Sequence, residues 1–257
     1  MAQALGWRAV FGLGAGVNAL IAVLLWRALP VLRPTVTMRY PALLASVLRL
    51  LREEPVLRLR TLYGALCFAS FSAFWTSLGF LLARPPYHWG NAAIGAFALL
   101  GAAGAIAARF TGRLADAGAA HRATGAFFAL LAGSYLLIAL GARSAAALGA
   151  GVVLMDLGCQ GAHILNQSLI YPLRPAARSR LNTAYMVSYF LAGAAGSGLS
   201  ATCYAAYGWG AVCVLGAEFP TVAFMIWVVE RYAARRAARR QNRQTPVVQY
   251  GTVGRLR

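Results

Sequence analysis

Long stretches without a charged residue are the feature that most restricts how this chain can fold. No charged side chain occurs in residues 61–83, 123–142 or 181–217. A helix needs about 20 apolar residues to cross a bilayer, and only helices or closed barrels satisfy their backbone groups in lipid. The sequence therefore predicts an all-α membrane protein, and we expect its function to lie inside a helix bundle.

The apolar stretches predict seven transmembrane helices, and one further segment predicts an amphipathic helix. The predicted spans are 9–26, 61–83, 91–108, 123–142, 144–170, 183–205 and 210–229. Within residues 40–60, leucines recur at helical spacing opposite arginine and glutamate, which predicts an amphipathic helix on the membrane surface. The predicted domains are a single transmembrane helix (1–30), a cytoplasmic linker (31–60), a six-helix bundle (61–230) and a basic tail (231–257).

Arginine is distributed unequally between the two sides of the predicted bundle. Only Arg8, Arg84 and Arg143 fall on one side, and the rest of the 24 basic residues fall on the other. Because basic loops stay in the cytoplasm, we expect the C-terminus inside and the N-terminus outside a bacterial plasma (inner) membrane. The basic tail is expected to attract anionic lipids.

Composition argues against several other classes of protein. The net charge of +18 is scattered between the spans and forms no patch with interleaved aromatics, so nucleic-acid binding is not expected. The chain has no lysine, which excludes a retinal Schiff base. Its four cysteines include no CxxC pair and predict neither a disulfide nor a metal site. No catalytic cluster of serine, histidine and carboxylate occurs, so we expect neither an enzyme nor a cofactor.

Polar side chains inside two spans are candidates for chemistry. In the fifth span, Asp156, Gln160, His163 and Gln167 share one helical face. A carboxylate within a membrane is costly unless it faces a cavity, a partner or a proton, and histidine titrates near physiological pH. The stripe predicts either a pathway for substrate and protons or a hydrogen-bonded network between helices. Glu218, in the last span, is expected to be protonated and hydrogen-bonded to a neighbour.

Two other spans carry candidate surfaces. Tyr63, Ser70 and Phe74 share a face of the second span, which indicates a pocket for an amphiphilic organic molecule or aromatic packing between helices. In the sixth span, small residues allow close approach between helices in lipid. These residues include Gly193, Gly196 and Ser197.

The loop between the third and fourth predicted spans carries a recognisable motif. It reads Gly112-Arg113-Leu-Ala-Asp116-Ala-Gly118, in which the glycines allow a tight turn and Asp116 can cap a helix. The motif resembles the cytoplasmic loop signature of the major facilitator superfamily, with Ala117 in place of the arginine that the family has after the aspartate. The sequence from the fifth span into the sixth also resembles helices ten and eleven of efflux-type members of that family.

The resemblance implies a twelve-helix transporter of which this chain would supply helices six to twelve. Residues 27–60 would then be the central cytoplasmic loop, and the chain would be a truncated transporter without its N-terminal half. In that fold two halves rock around a central site, and helices seven and ten, here the second and fifth spans, line the cavity. We therefore expect efflux of a small organic solute by proton-coupled antiport. An inactive fragment and a seven-helix receptor are the alternative interpretations.

Overall fold

The computed structural model describes residues 2–30, 39–102, 111–114 and 116–244. Within these residues lie eight complete α-helices of eight or more residues and no strand. The helices are α1 (Ala2–Ala28), α2 (Tyr40–Glu53), α3 (Pro55–Ala83), α4 (Asn91–Ala98), α5 (Ala120–Leu140), α6 (Ala145–Ile170), α7 (Arg178–Tyr207) and α8 (Trp209–Gln244). Short 3-10 turns follow α4 (Leu99–Ala102) and precede α7 (Pro175–Ala177).

The chain divides into two compact units, residues 1–43 and residues 44–257. The first unit consists mainly of α1, an apolar helix of 27 residues. Its one polar side chain in mid-helix, Asn18, donates from Nδ2 to the carbonyl of Gly14 at 2.8 Å, so this amide is satisfied within the helix. The second unit is the helix bundle.

Five helices of the described residues are long and apolar enough to cross a membrane. These candidate spans are Phe11–Ala28, Pro55–Ala83, Ala120–Leu140, Ala145–Ile170 and Trp209–Ala237. The predicted span 91–108 begins as α4 and its 3-10 turn, and residues 103–110 lie outside the described part. The predicted span 183–205 is the 30-residue helix α7, whose glycine, serine and tyrosine content lowers its hydropathy. The all-helical architecture is confirmed, and the count of seven spans stays a prediction.

Helix α3 lies at the centre of the second unit. It contacts α6, α7 and α8, while α5 packs between α6 and α8. Large side chains fill the space between these helices, and the rings of Tyr63 and Phe128 meet with their centroids 4.9 Å apart. The fully buried side chains include Phe74, Leu131 and Met155. The core is therefore formed by one central helix and the helices around it.

Helix α3 begins earlier than the sequence suggested. Pro55 occupies its first turn, where the missing N–H would have no partner and the fixed φ suits a helix. Residues 55–60 therefore belong to α3 and not to a linker. The preceding α2 packs Val47, Leu50 and Leu51 into an apolar cluster with the ends of α6 and α7. The amphipathic helix is thus held against the bundle by these residues, while Leu48 stays exposed.

An ion-pair clamp joins the α2–α3 junction to the loop before α7. Nε of Arg174 lies 2.7 Å from Oε1 of Glu54, and its Nη2 lies 3.0 Å from Oε2 of Glu53. The hydrogen bond to Glu54 raises the pKa of Arg174. Because the clamp is open to water, solvent screens it, and we expect it to add little stability.

Side chains of neighbouring helices bond to backbone carbonyls across the bundle. Ser70 Oγ donates to the carbonyl of Gly216 at 2.7 Å, and Tyr135 donates its hydroxyl proton to the carbonyl of Ser70 at 2.8 Å. Ser200 Oγ donates to the carbonyl of Ala73 at 2.6 Å. Hydrogen bonds of this kind hold helices together in lipid. They tie α3 to α5, α7 and α8.

Small residues of α7 let this helix approach α3. A Cβ atom at Gly196 would collide with the backbone of Ala69, and Gly193 also faces α3. Thr76 Oγ1 donates to Ser197 Oγ at 2.8 Å. In a membrane, close packing of this kind favours helix association because burial from water contributes nothing there.

Candidate functional site

Asp156 is buried near the middle of α6, with 2% of its surface exposed. Neither carboxylate oxygen makes a hydrogen bond of ordinary geometry among the described residues, although the indole N–H of Trp75 lies close enough to interact with the carboxylate. Its neighbours are Trp75 of α3 and Gly101 of the turn after α4: a Cβ atom at Gly101 would lie 2.9 Å from Trp75 Cζ2 and 3.1 Å from Asp156 Oδ2. An unpaired buried carboxylate is costly as an ion, so a group in this place is suited to bind a proton or a cation.

Trp75 brings an indole N–H to the same place. Its Nε1 is buried and lies beside Asp156, and it likewise makes no hydrogen bond of ordinary geometry in the described part of the chain. By contrast, Nε1 of Trp209 and Nε1 of Trp227 each donate to a backbone carbonyl, at 3.0 and 2.8 Å. Gly101 permits the close approach, because a side chain there would collide with Trp75. The site thus places an acceptor and a donor side by side without a well-formed hydrogen bond between them.

His163 lies two turns farther along α6 and contacts α7. Its Nδ1 is 3.1 Å from the hydroxyl oxygen of Tyr185, and its ring centroid is 4.8 Å from that of Tyr189. The Tyr185 hydroxyl reaches α3 at Gly64, where any side chain would displace it. The amide of Asn166 is fully buried and lies near the Tyr185 hydroxyl, but it makes no hydrogen bond of ordinary geometry within the described ranges. Polar groups therefore continue from the level of Asp156 toward the loop between α6 and α7.

Gln160 and Gln167 complete the predicted stripe. Gln160 is exposed and Gln167 is half-buried, and the helical register places both on the same side of α6 as Asp156 and His163. The stripe therefore follows an edge of the bundle where the described chain leaves α6 partly uncovered. In the described ranges, no three histidine, cysteine or acidic side chains are grouped in a way that could hold a metal ion.

An aromatic ladder borders the stripe. It consists of Phe68, Phe71 and Trp75 of α3 with Tyr189 of α7. Successive ring centroids on α3 are 5.6 and 6.0 Å apart, and Tyr189 stacks on Phe68 at 4.0 Å. The three α3 rings are half-buried, so they form a partly open apolar wall beside Asp156. Sequence reasoning missed this ladder, although its spacing of three and four residues is visible in α3.

The face of α3 that was expected to line a pocket is buried inside the bundle. Tyr63 donates its hydroxyl proton to Glu230 Oε2 at 2.9 Å, and the ring centroid of Phe74 lies 6.0 Å from that of Trp209. Ser70 Oγ donates to the carbonyl of Gly216 in α8. The structure therefore does not bring these three side chains together with the α6 stripe. They are packed between helices instead.

An ionic cluster joins three helices near the side of the bundle that is predicted to be cytoplasmic. It consists of Arg60, Tyr63, His121 and Glu230. Nη2 of Arg60 lies 3.2 Å from Oε1 of Glu230 and 3.1 Å from Nδ1 of His121. The cluster ties the starts of α3 and α5 to Glu230 in the second half of α8. Sequence reasoning did not find it, because its members are separated by up to 170 positions and form no local pattern.

The loop motif is described in part, since residue 115 lies outside the described ranges. Gly118 adopts a φ of +70°, in the left-handed region that favours glycine after a helix end, and Ala119 N donates to the carbonyl of Leu114 at 3.0 Å. Helix α5 follows Ala119 and receives no side-chain cap. The expectation that Asp116 caps this helix is therefore wrong. Arg113 and Asp116 are both exposed.

Glu218 is exposed on α8. It lines a shallow depression on that helix, and the hydrogen-bonding neighbour expected for it is not found among the described residues. Pro220, two residues later, lies within the helix and is buried. Glu218 therefore belongs to a different surface from the α6 stripe.

Similarity to known proteins extends over most of the chain. The family described as Major Facilitator Superfamily matches residues 1–171. The chain is 44% identical over 222 residues to the uncharacterized transporter YgaY of Escherichia coli O157:H7, and the aligned part covers 86% of this chain and 56% of that protein. A Streptomyces coelicolor protein named as a transporter is 35% identical over 214 residues, which cover 83% of this chain and 50% of that protein.

These matches confirm the resemblance that the loop motif indicated. The chain spans about half the length of the curated relatives that it matches. The relatives are named as transporters, and the presence of helices that could cross a membrane is consistent with that class of protein. The chain is therefore an integral membrane protein that belongs to the major facilitator superfamily.

Proposed function

We propose that this chain forms one half of a transporter that exports a small organic solute by proton-coupled alternating access. The observation that carries the proposal is the unpaired carboxylate of Asp156, buried beside the aromatic ladder. The protein would act in a bacterial plasma membrane, with its C-terminus and the ionic cluster on the cytoplasmic side. Anionic lipids would contact its basic tail.

The depth of Asp156 supports a role in coupling. It lies eleven residues after the first residue of α6, which corresponds to about 17 Å along the helix axis. The hydrocarbon layer of a bilayer is about 30 Å thick, so this distance places Asp156 close to the middle of that layer. An acid at this depth exchanges protons only with the side from which water reaches it. Alternating access would open Asp156 to each side in turn.

The aromatic ladder supports an organic substrate. A molecule with an apolar or aromatic body would contact Phe71 and Trp75, because such rings offer large apolar faces at partly open sites. Gln160 and His163 would supply hydrogen bonds from the neighbouring helix. Small-molecule sites commonly combine an apolar wall with a few polar groups. Proton release from Asp156 would then accompany solute binding or solute release.

The open edge of the bundle supports the presence of a second half. Gln160 is exposed and the α3 rings are half-buried, so the described chain covers only one side of the proposed site. Transporters of this kind hold the substrate between two halves. The relatives are about twice as long as the part that this chain matches, which is enough to provide the opposite wall.

Transport in liposomes tests the proposal. The purified chain is reconstituted alone and together with the complementary half of the Escherichia coli relative, and a pH gradient is imposed. Entry or exit of protons is followed with a trapped pH-sensitive dye while cationic, zwitterionic and neutral aromatic solutes are added. We expect one solute class to dissipate the gradient when both halves are present.

The two arms of this experiment separate the interpretations. Activity with both halves and none with the chain alone supports a half-transporter, whereas activity in neither arm with any solute class contradicts the proposal. Replacement of Ser168 by alanine is a matched control on α6, because its hydroxyl donates to the carbonyl of Leu165 in its own helix and does not face the site. This variant should transport like the unmodified chain.

A further inference from the structure

We propose that two copies of this chain associate in the membrane through the face of α8 that carries Glu218. This face, the outer seam, consists of Val214, Ala217, Glu218, Thr221 and Val222, which line a shallow depression of about 360 Å³. The inference concerns assembly and does not depend on which solute is transported.

The first step is the depth of Glu218 in the membrane. It lies nine residues after Trp209, where α8 begins, so it is about 14 Å along the axis of a helix that is long enough to cross the bilayer. This is near the middle of the hydrocarbon layer. An ionisable side chain at that level is costly when it faces acyl chains, and such residues normally face a partner or water.

The second step is the direction in which Glu218 points. Gly216 packs inward, where its carbonyl accepts from Ser70 and its Cα lies against the ring of Tyr135. Two residues correspond to a rotation of about 200° around a helix. Glu218 therefore faces away from α3 and α5, and the described residues offer it no hydrogen-bond partner.

The third step concerns the proposed second half of the transporter, which would complete the candidate site but would not contact Glu218. The aromatic ladder lies on a different side of α3 from Ser70, the residue that contacts α8. A second half placed against the ladder and the α6 stripe would thus not cover the outer seam. The described residues of the second unit supply no group to Glu218, so the inferred partner is a second copy of the chain.

The fourth step is the self-complementarity of the outer seam. A protonated carboxyl group both donates and accepts a hydrogen bond, so two such groups can pair across a two-fold axis. Thr221 uses its proton for the carbonyl of Ala217 at 2.7 Å, which leaves its oxygen free to accept another bond. Ala217 and Thr221 are small enough for close helix contact. A two-fold axis along the membrane normal would place each Glu218 beside its counterpart.

Disulfide trapping tests the association in the full chain. Cysteine is introduced at Val214, which is 60% exposed on the outer seam, or at Leu136, which is 74% exposed on α5. Both sites lie within a few residues of the same predicted membrane surface, so Leu136→Cys is a matched control. The half-buried native Cys203 is replaced by serine, because the other three native cysteines are buried. Liposomes are then treated with a mild oxidant.

We expect Val214→Cys to form covalent dimers and Leu136→Cys to remain monomeric. Adding Glu218→Leu to Val214→Cys should reduce dimer yield about three- to tenfold, in line with the strength of polar contacts between membrane helices. Glu218→Gln should retain the dimer, because an amide also donates and accepts. Ala217→Phe, which fills the depression but keeps the carboxyl group, should abolish it.

Two outcomes would overturn the proposal. Equal cross-linking of Val214→Cys and Leu136→Cys would mean that collisions are random, and an unchanged yield in both Glu218→Leu and Ala217→Phe would mean that the seam does not hold the copies together. If Glu218→Leu does not accumulate as a folded protein, Ala217→Phe alone decides between these results.

Discussion

Arg60 and Asp156 are the two charged side chains that are almost completely buried among the described residues, with 4% and 2% of their surfaces exposed. Their surroundings differ. Arg60 lies at a helix end, where it is 3.2 Å from a carboxylate oxygen of Glu230 and close to the imidazole of His121. Asp156 lies in mid-helix and forms no ion pair and no well-formed hydrogen bond in the described ranges.

The difference separates a charged group that holds helices together from one that remains available to bind a proton. A paired buried charge fixes the relative positions of its helices, and removing one partner leaves the other uncompensated. An unpaired buried acid contributes nothing of this kind and lowers stability, so its presence is best explained by a function. On this basis the ionic cluster is structural, and the surroundings of Asp156 form the proposed working site.

The largest expected effect is that of Asp156→Asn on transport. The amide cannot release a proton, so solute-driven proton flux in liposomes should fall to the level of empty vesicles. Thermal unfolding in detergent should stay unchanged or shift upward, because a costly buried acid is removed. Full proton flux in this variant would place coupling elsewhere and erase the contrast with Arg60.

The next effect is that of Glu230→Ala on stability. The change leaves Arg60 buried without a counter-charge and should lower the free energy of unfolding by about 2–3 kcal/mol, less than for a fully buried pair because Glu230 is 26% exposed. Chemical denaturation in detergent measures it. The double variant Arg60→Leu/Glu230→Ala should recover part of the loss. A double variant no better than the single one would show that the charge pair is not the cause.

A smaller effect on stability is expected when the close packing between α3 and α7 is disturbed. Gly196→Ala should lower the free energy of unfolding by about 1–2 kcal/mol, because the added methyl group meets the backbone of Ala69. Gly198→Ala is the matched control two residues later, where nothing lies within 4 Å of a Cβ atom. That control should be neutral or stabilising, since alanine favours helix more than glycine does. Equal effects at both positions would argue against the tight contact.

The smallest effect is expected for Arg174→Gln. This arginine pairs with Glu53 and Glu54 in water and not inside the bundle, so its removal should leave the midpoint of thermal unfolding unchanged. The comparison with Glu230→Ala therefore isolates burial as the variable. A loss as large as that of Glu230→Ala would show that exposure to water does not weaken this clamp.

The helical architecture could be predicted from the sequence because lipid allows few alternatives. Long apolar stretches predicted the positions of α3, α5 and α6 within about six residues at each end. The start of α3 was missed because Pro55 was assigned to a linker, although proline suits a first helical turn. The stripe on α6 could be found from its spacing alone, since all four polar residues belong to one helix.

The neighbours of that stripe could not be predicted in the same way. Spacing identifies faces of α3 but does not say which face meets α6, and the face with Tyr63 and Phe74 was chosen over the one with Phe71. That choice depends on how helices rotate during packing, and rotation is decided by contacts such as that of Gly196 with Ala69. The ionic cluster was missed for a similar reason, because only the folded bundle brings Arg60 to Glu230.

The indole of Trp75 gives this protein a built-in optical probe. Its N–H lies beside Asp156 without a well-formed hydrogen bond among the described residues, whereas Trp209 and Trp227 already donate to carbonyls. Protonation of the acid or arrival of a solute would therefore alter the fluorescence of Trp75 more than that of these two residues. Emission recorded with and without a Trp75→Phe exchange would report occupancy of the site in real time, without any attached dye.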